Sequence, residues 1–279
     1  MPIAEVLSGD GTPIVYHVSG PVDGRPIVLL HGWAASMRCW GDDVVGPLTD
    51  RYRVITVDLR GHGYSGAPEA GYDDPENWAS DVAAVMAAEQ ITTGAVLLGW
   101  SYGGLVVSDY LARRGTSAVA GIVLVSAITG IGRGRSGGRV GSAMRAAIPD
   151  VYSEKPGHAL RGFMKFGDAN TGSATDKGAT AQLLFGISLS TPPRVRQALF
   201  DRTAGNDDLL RSLDVPVLVV HGTADPVVEI SAGEYAAATI PNARISVWDG
   251  AKHAPFVEDP ARFVADVTGF VDSLVQRIH

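Results

Sequence analysis

The sequence predicts an α/β protein: a mostly parallel sheet flanked by helices, with a helical cap inserted between two strands. Three observations carry this. Short apolar runs recur that are β-branched and almost uninterrupted, as strands buried on both faces require. Stretches of helical periodicity alternate with them, which argues for right-handed crossovers between parallel strands. At 279 residues the chain is long enough for one large domain or two small ones with a substantial core.

Taken in order, Ile3–Leu7 and Pro13–Val18 flank the turn-like Ser8-Gly9-Asp10-Gly11 and read as an antiparallel hairpin on the sheet edge. The buried-strand runs are Ile27–Leu30, Val54–Val57, Ala95–Leu98, Ile122–Val125 and Val215–Val220, with Arg244–Trp248 also strand-like. Helical stretches fall at Asn77–Gln90, Leu105–Arg114, Ile230–Ala238 and Ala261–Arg277. The alternation breaks from Thr129 to Asp208, which opens Gly- and Arg-rich and then shows weak helical periodicity interrupted by Pro149, Pro156, Pro192 and Pro193. About 80 residues is too long for a structureless loop in a compact domain, so this segment reads as a helical cap. The expected organisation is a core of residues 1–128 and 209–279 with a cap of residues 129–208.

Composition excludes several classes. The net charge of −7 gives no nucleic-acid footprint. Cys39 is the single cysteine, so neither an intrachain disulfide nor a Cys-based zinc site can form. No apolar run is long enough to span a bilayer, and the N-terminus lacks the basic and apolar regions of a signal peptide. A cytoplasmic location, without membrane or nucleic-acid partners, is the expectation; the oligomeric state is left open.

The strongest chemical signal is Gly99-Trp100-Ser101-Tyr102-Gly103, a G-x-S-x-G directly after a buried strand and before a helical pattern. Alone the motif is weakly specific; in this context it has a mechanical reason. A sharp strand-to-helix turn lifts the serine hydroxyl above the sheet, and glycines two positions to either side let the backbones approach. The helix N-terminus also aims N–H groups at developing negative charge.

A nucleophilic serine needs a base. Of the seven histidines, His253 follows the strand-like Arg244–Trp248 and precedes the last helix. That places it in a loop at the carboxyl end of a strand, where open α/β sheets put their sites. His31 and His221 also end strands; His31 reads as support for its adjacent loop and His221 as a packing residue. The acid that orients the imidazole is Asp225, in the loop after Val215–Val220. Asp207, Asp208 and Asp214 read as solvated charges before the strand, and Asp249 as a turn residue. The oxyanion needs two backbone N–H groups, from Tyr102 and from Trp33 in the loop His31-Gly32-Trp33-Ala34-Ala35-Ser36.

HGWAAS, DLRGHGYSGAP, GWSYGG, HGTADPVV and GAKHAPF together resemble the α/β-hydrolase superfamily over nearly the whole chain, and in particular its cofactor-free haloperoxidase and esterase branch. The Gly-Trp-Ser pairing and His-Ala-Pro-Phe are also similar to the methyl-ester esterases of biotin synthesis. The resemblance implies an α/β-hydrolase fold with an eight-stranded sheet, a triad of Ser101, Asp225 and His253, an oxyanion hole at Trp33 and Tyr102, no cofactor and no metal. It implies a serine hydrolase, specifically a carboxylesterase, acting on a small-molecule acyl substrate through an acyl-enzyme. Haloalkane dehalogenases and epoxide hydrolases of this fold use an aspartate nucleophile, which Ser101 excludes. Perhydrolysis is the alternative; many perhydrolytic relatives carry proline after the tryptophan, where this chain has Ala34. A ligand receptor with little turnover is the alternative from another class, and only a turnover measurement separates it.

Two decoys remain. Gly61-His62-Gly63-Tyr64-Ser65-Gly66 matches G-x-G-x-x-G, yet no helix opens there and Asp81 falls inside a later helix, so it reads as a turn beside the site. Arg133, Arg135 and Arg139 could hold an anionic substrate, but read better as a solvated entrance to the cap. No histidine has a second ligand at metal-binding spacing.

Overall fold

A computed structural model describes residues 3–274. Eight strands form one sheet: β1 (Ile3–Leu7), β2 (Pro13–Ser19), β3 (Arg25–Leu30), β4 (Tyr52–Val57), β5 (Ala95–Trp100), β6 (Val119–Val125), β7 (Val217–Gly222) and β8 (Ala243–Trp248). Their order is β1-β2-β4-β3-β5-β6-β7-β8. β2 runs antiparallel to both neighbours and every other pair is parallel, so the predicted hairpin does sit at the sheet edge.

The alternation of side chains along each strand builds two cores, one on each face. Val28, Leu30, Ile55, Leu97, Ile122 and Val219 turn toward α2 (Pro75–Ala88), α3 (Tyr102–Arg114) and α9 (Ile230–Thr239), meeting Trp78, Val82, Leu105 and Ala236. Ile27, Leu29, Val54, Leu98, Val123 and Val220 turn the other way, toward α1 (Asp42–Thr49) and α11 (Pro260–Ser273), where Leu48, Phe263, Val267 and Phe270 pack. This two-sided burial is why the strands read as unbroken apolar runs.

Helix α1 has no counterpart in the sequence reading. Only Val44 and Leu48 of it are buried, and Gly46 and Pro47 interrupt any periodicity. Helix α3 begins at Tyr102, three residues earlier than periodicity suggests, because its first turn contains Gly103 and Gly104. Those glycines are steric necessities: a Cβ on Gly103 would lie 2.1 Å from the Leu30 carbonyl oxygen, and one on Gly104 2.6 Å from the Ala127 Cβ. Helix α2 starts at Pro75, capped by the Asp74 side chain accepting from the Glu76 N–H. The last helix was expected to reach Arg277; α11 runs to Ser273, and residues 275–277 lie outside the described residues.

Between β6 and β7 the chain inserts five helices: α4 (Ser142–Val151), α5 (His158–Met164), α6 (Lys177–Ser190), α7 (Pro193–Asp201) and α8 (Asp207–Ser212). A buried ion pair ties this insertion to the sheet layer, with Arg202, just after α7, donating to Asp109 of α3 at 2.6 Å. A short α10 (Pro255–Glu258) precedes α11. Among the described residues no helix is long and apolar enough to cross a membrane.

Candidate active site

Ser101 occupies the turn between β5 and α3 at φ 54° and ψ −117°, a strained conformation for a non-glycine residue. The surroundings hold it there. Its N–H donates to the Val125 carbonyl at 2.9 Å, and its own carbonyl accepts from Gly104 and Ile128, each at 3.1 Å. Gly99 permits the turn, since a Cβ there would lie 2.6 Å from backbone atoms of Gly103 and Gly104. The Ser101 hydroxyl makes no capping bond to α3, so it is not consumed by the helix it precedes.

His253 is brought to the same cavity, which is also walled by Gly32, Trp33 and Trp100. Its Nδ1 bonds Asp225 Oδ2 at 2.8 Å. Asp225 is fully engaged: Oδ1 accepts from the Val227 and Val228 N–H groups at 2.8 and 3.0 Å. His221 Nε2 stands 3.3 Å from Oδ2 and 3.0 Å from the Val228 carbonyl. Burial opposes ionisation of Asp225, but the adjoining His253 ring and the hydrogen bonds from His221 and His253 outweigh it and hold the carboxyl well below the usual carboxylate range. The competing carboxylates are engaged elsewhere: Asp208 with Arg211, Asp214 with Thr116, Asp249 with Thr223, and Asp207 with Tyr235.

Tyr102 is the first residue of α3, so its N–H has no intrahelical partner. The other expected donor, Trp33, lies in a loop packed on the serine; a Cβ on Gly32 would come within 3.0 Å of Ser101 Cβ. Among the described residues no protein group accepts from the backbone N–H of Trp33 or Tyr102. Two fully buried histidines hold this loop. His31 bonds the Gly32 carbonyl through Nδ1 at 2.8 Å and accepts from the Leu59 N–H at 3.1 Å. His62 bonds the Arg60 carbonyl through Nδ1 at 2.9 Å and accepts from the Ala34 N–H at 3.2 Å. Burial lowers them to about 4 and about 3, helped for His62 by its neighbour His31. Each ring is therefore neutral near pH 7, as one donated and one accepted bond require.

Residues 27–267 match the alpha/beta hydrolase family. The chain belongs to that family. Its relatives include an esterase from Rhodococcus sp. ECU1013 of known crystal structure, 61% identical over 98% of this chain and all of that one, with a TM-score of 0.96. A non-heme chloroperoxidase from Streptomyces lividans is 34% identical, covering 96% of this chain and 99% of its own length. A pimeloyl-[acyl-carrier protein] methyl ester esterase from Neisseria meningitidis is 31% identical over 90% of this chain and 94% of its own.

Sequence reasoning missed several supports in this α/β hydrolase. His221, read as packing, touches Asp225; the His-x-x-x-Asp spacing within one strand-end loop was the available signal. Trp100 donates its indole N–H to the His253 carbonyl at 2.9 Å and stacks obliquely on that ring at 5.4 Å. The insertion also grips the histidine loop: the Ala169 carbonyl accepts from the His253 N–H at 3.0 Å, and Asp168 pairs with Lys252. Nothing in the sequence links positions 169 and 253. The Gly61–Gly66 segment closes on itself through a Gly61 N–H to Gly66 carbonyl bond of 2.8 Å, and Asp81 inside α2 pairs with Arg60 at 2.7 Å. Arg133 and Arg139 are exposed at the edge of a second cavity, while Arg135 lies 3.9 Å from Asp207. Among the described residues no group of three or more His, Cys, Asp and Glu side chains is placed to hold a metal ion.

Proposed function

We propose that this chain is a serine carboxylesterase in which Ser101 is the nucleophile, His253 the general base and Asp225 its orienting acid. The observation that carries the reading is the convergence of a strained, uncapped Ser101 and an Asp225-bonded His253 on one cavity. The esterase relative at 61% identity supports it.

His253 Nε2 takes the Ser101 proton as Oγ attacks the ester carbonyl. The Oγ–C bond forms, and the carbonyl oxygen becomes an anion held by the N–H groups of Trp33 and Tyr102. The bond to the leaving oxygen then breaks, with His253 delivering its proton to the departing alcohol. Water repeats the sequence on the acyl-enzyme and releases the acid. Asp225 stays ionised throughout and compensates the imidazolium charge. The substrate is a small-molecule ester.

The chloroperoxidase relative raises perhydrolysis as a second reading. The loop geometry argues against a proline-type oxyanion loop here. Ala34 sits at φ 49° and donates its N–H to His62, whereas proline is locked near −65° and has no N–H.

The test is hydrolysis of p-nitrophenyl esters, acetate through octanoate, by wild type and Ser101→Ala. Loss of turnover by about a millionfold, the scale for removing a triad serine elsewhere, is expected. Turnover that survives in Ser101→Ala overturns the mechanism.

A further inference from the structure

Ser101 borders two lobes of cavity. The first, of about 270 Å³, is walled by Trp100, His253, Phe163, Leu184 and Phe185. The second, of about 310 Å³, is walled by Tyr102, Ile128, Ile131, Val140, Phe200 and Val228. Trp33, Ser101 and Met144 border both. The two lobes differ chemically at the reacting centre: His253 lines only the first, and Tyr102 only the second.

We propose that the substrate's acyl group occupies the second lobe and its alcohol the first, so that this chain selects esters of an apolar carboxylic acid through Ile131, Val140 and their neighbours. This rests on the serine-esterase reading above. In the tetrahedral intermediate the former carbonyl carbon carries four groups: Ser101 Oγ, the oxyanion, the leaving oxygen and the acyl chain. The oxyanion is directed to the N–H groups of Trp33 and Tyr102. The leaving oxygen receives its proton from His253 as the C–O bond breaks, so it must lie within hydrogen-bond reach of that ring. Only the first lobe offers this. The acyl chain takes the remaining direction, over Tyr102 into the second lobe. Deacylation obeys the same division. Once the protonated alcohol has left, its lobe lets water reach His253, and the acyl chain need not move.

The second lobe sets the substrate class. Its inner wall is aliphatic and aromatic, with buried Val227 and Val228 at its floor, and its only charged members, Arg133 and Arg139, are exposed. An apolar wall rewards apolar acyl surface and offers no buried partner for a polar chain.

The experiment is a crossed pair of ester series on the purified full chain. One series varies the acid, as p-nitrophenyl acetate through octanoate; the other varies the alcohol, as ethyl through octyl acetate. Ile131→Ala and Val140→Ala enlarge the second lobe, and Leu184→Ala the first. Either second-lobe variant is expected to move the kcat/KM optimum of the acid series to longer chains, gaining about fourfold per newly accommodated methylene. The alcohol series should keep its wild-type ratios within about twofold, and Leu184→Ala should do the reverse. Each result is a ratio within one variant, so partial loss of folded protein cancels. A shift of the alcohol series by Ile131→Ala and Val140→Ala overturns the assignment, as does the absence of any shift in variants that turn over normally. Failure of the esterase reading looks different: ester turnover then survives in Ser101→Ala.

Discussion

Asp225→Asn isolates what the carboxylate does, because the donors around it leave an amide one way to sit. The Val227 and Val228 N–H groups, at 2.8 and 3.0 Å from Oδ1, are backbone donors that cannot reverse. The amide oxygen must face them, which turns the NH₂ toward His253 and His221, 2.8 and 3.3 Å from the former Oδ2. His253 must then accept at Nδ1 and carry its proton on Nε2, the nitrogen that has to receive the Ser101 proton. The base sits in the wrong tautomer, and the imidazolium formed in the reaction has lost its counter-charge. The equivalent change in a triad on another fold lowers kcat about 10⁴-fold, or ~5.5 kcal/mol at 1.36 kcal/mol per tenfold. We expect a loss of that order for p-nitrophenyl acetate at pH 8, measured as initial rates with folding checked by circular dichroism. A folded Asp225→Asn variant with kcat within tenfold of wild type would refute this account of the triad.

Three further changes probe the scaffold. Ala34→Pro demands a φ the loop does not have and removes the N–H held by His62, so both stability, by more than about 1 kcal/mol, and turnover should fall; unchanged urea unfolding would contradict the loop geometry. Arg202→Met strands Asp109, whose carboxyl burial already pushes up to about 6, and should cost about 3–5 kcal/mol in urea unfolding, most of it recovered by adding Asp109→Leu. A single-variant loss below about 1 kcal/mol would show that the pair does not anchor the insertion. His31 and His62 are held neutral in the fold, to about 4 and about 3, while the unfolded chain protonates them near ~6.5. Stability should therefore fall as pH drops below about 6.5 and go on falling to about 4 on account of His31 and about 3 on account of His62; His62→Gln, read by denaturation at pH 7 and 5, should flatten that slope.

The sheet was legible because its physical cause is written in one dimension. A strand covered on both faces must be apolar at consecutive positions, and β3, β4, β5, β6 and β7 are. Helix α1 was not legible because only Val44 and Leu48 of it are buried, too few for a period to register. The insertion was legible as an interruption but not as five helices. The inner faces of α5 and α6 line a cavity, so Phe163, Leu184 and Phe185 meet space left for a ligand as well as core, which blurs the apolar stripe. Ser101, Asp225 and His253, the proposed triad, each follow a recognisable strand, and strand-end loops of a parallel sheet converge on one edge.

What stayed hidden is the apparatus that holds those side chains, and its logic is hydrogen-bond accounting across distant segments. The loop proposed to present the Trp33 N–H is short and contains Gly32 and a left-handed Ala34, so its own residues do little to fix its shape. It is fixed from outside, by His62 accepting the Ala34 N–H and by Asp58 accepting the Met37 N–H at 2.7 Å. Asp58 also accepts from the Tyr64 N–H at 2.9 Å, and Gly63 presses so close that a Cβ would lie 2.1 Å from the carboxylate. The Gly61–Gly66 turn, which in sequence imitates a nucleotide loop, thus serves to bring His62 and Asp58 to bear on residues 34 and 37. Neutral imidazole suits His62 because it offers one donor and one acceptor on opposite sides of a rigid ring, and burial keeps it in that form. A backbone N–H pair can stabilise an oxyanion only if it does not reorganise as the charge develops. On this reading His31, His62 and Asp58 matter to catalysis without touching substrate: they hold the loop that presents the Trp33 N–H.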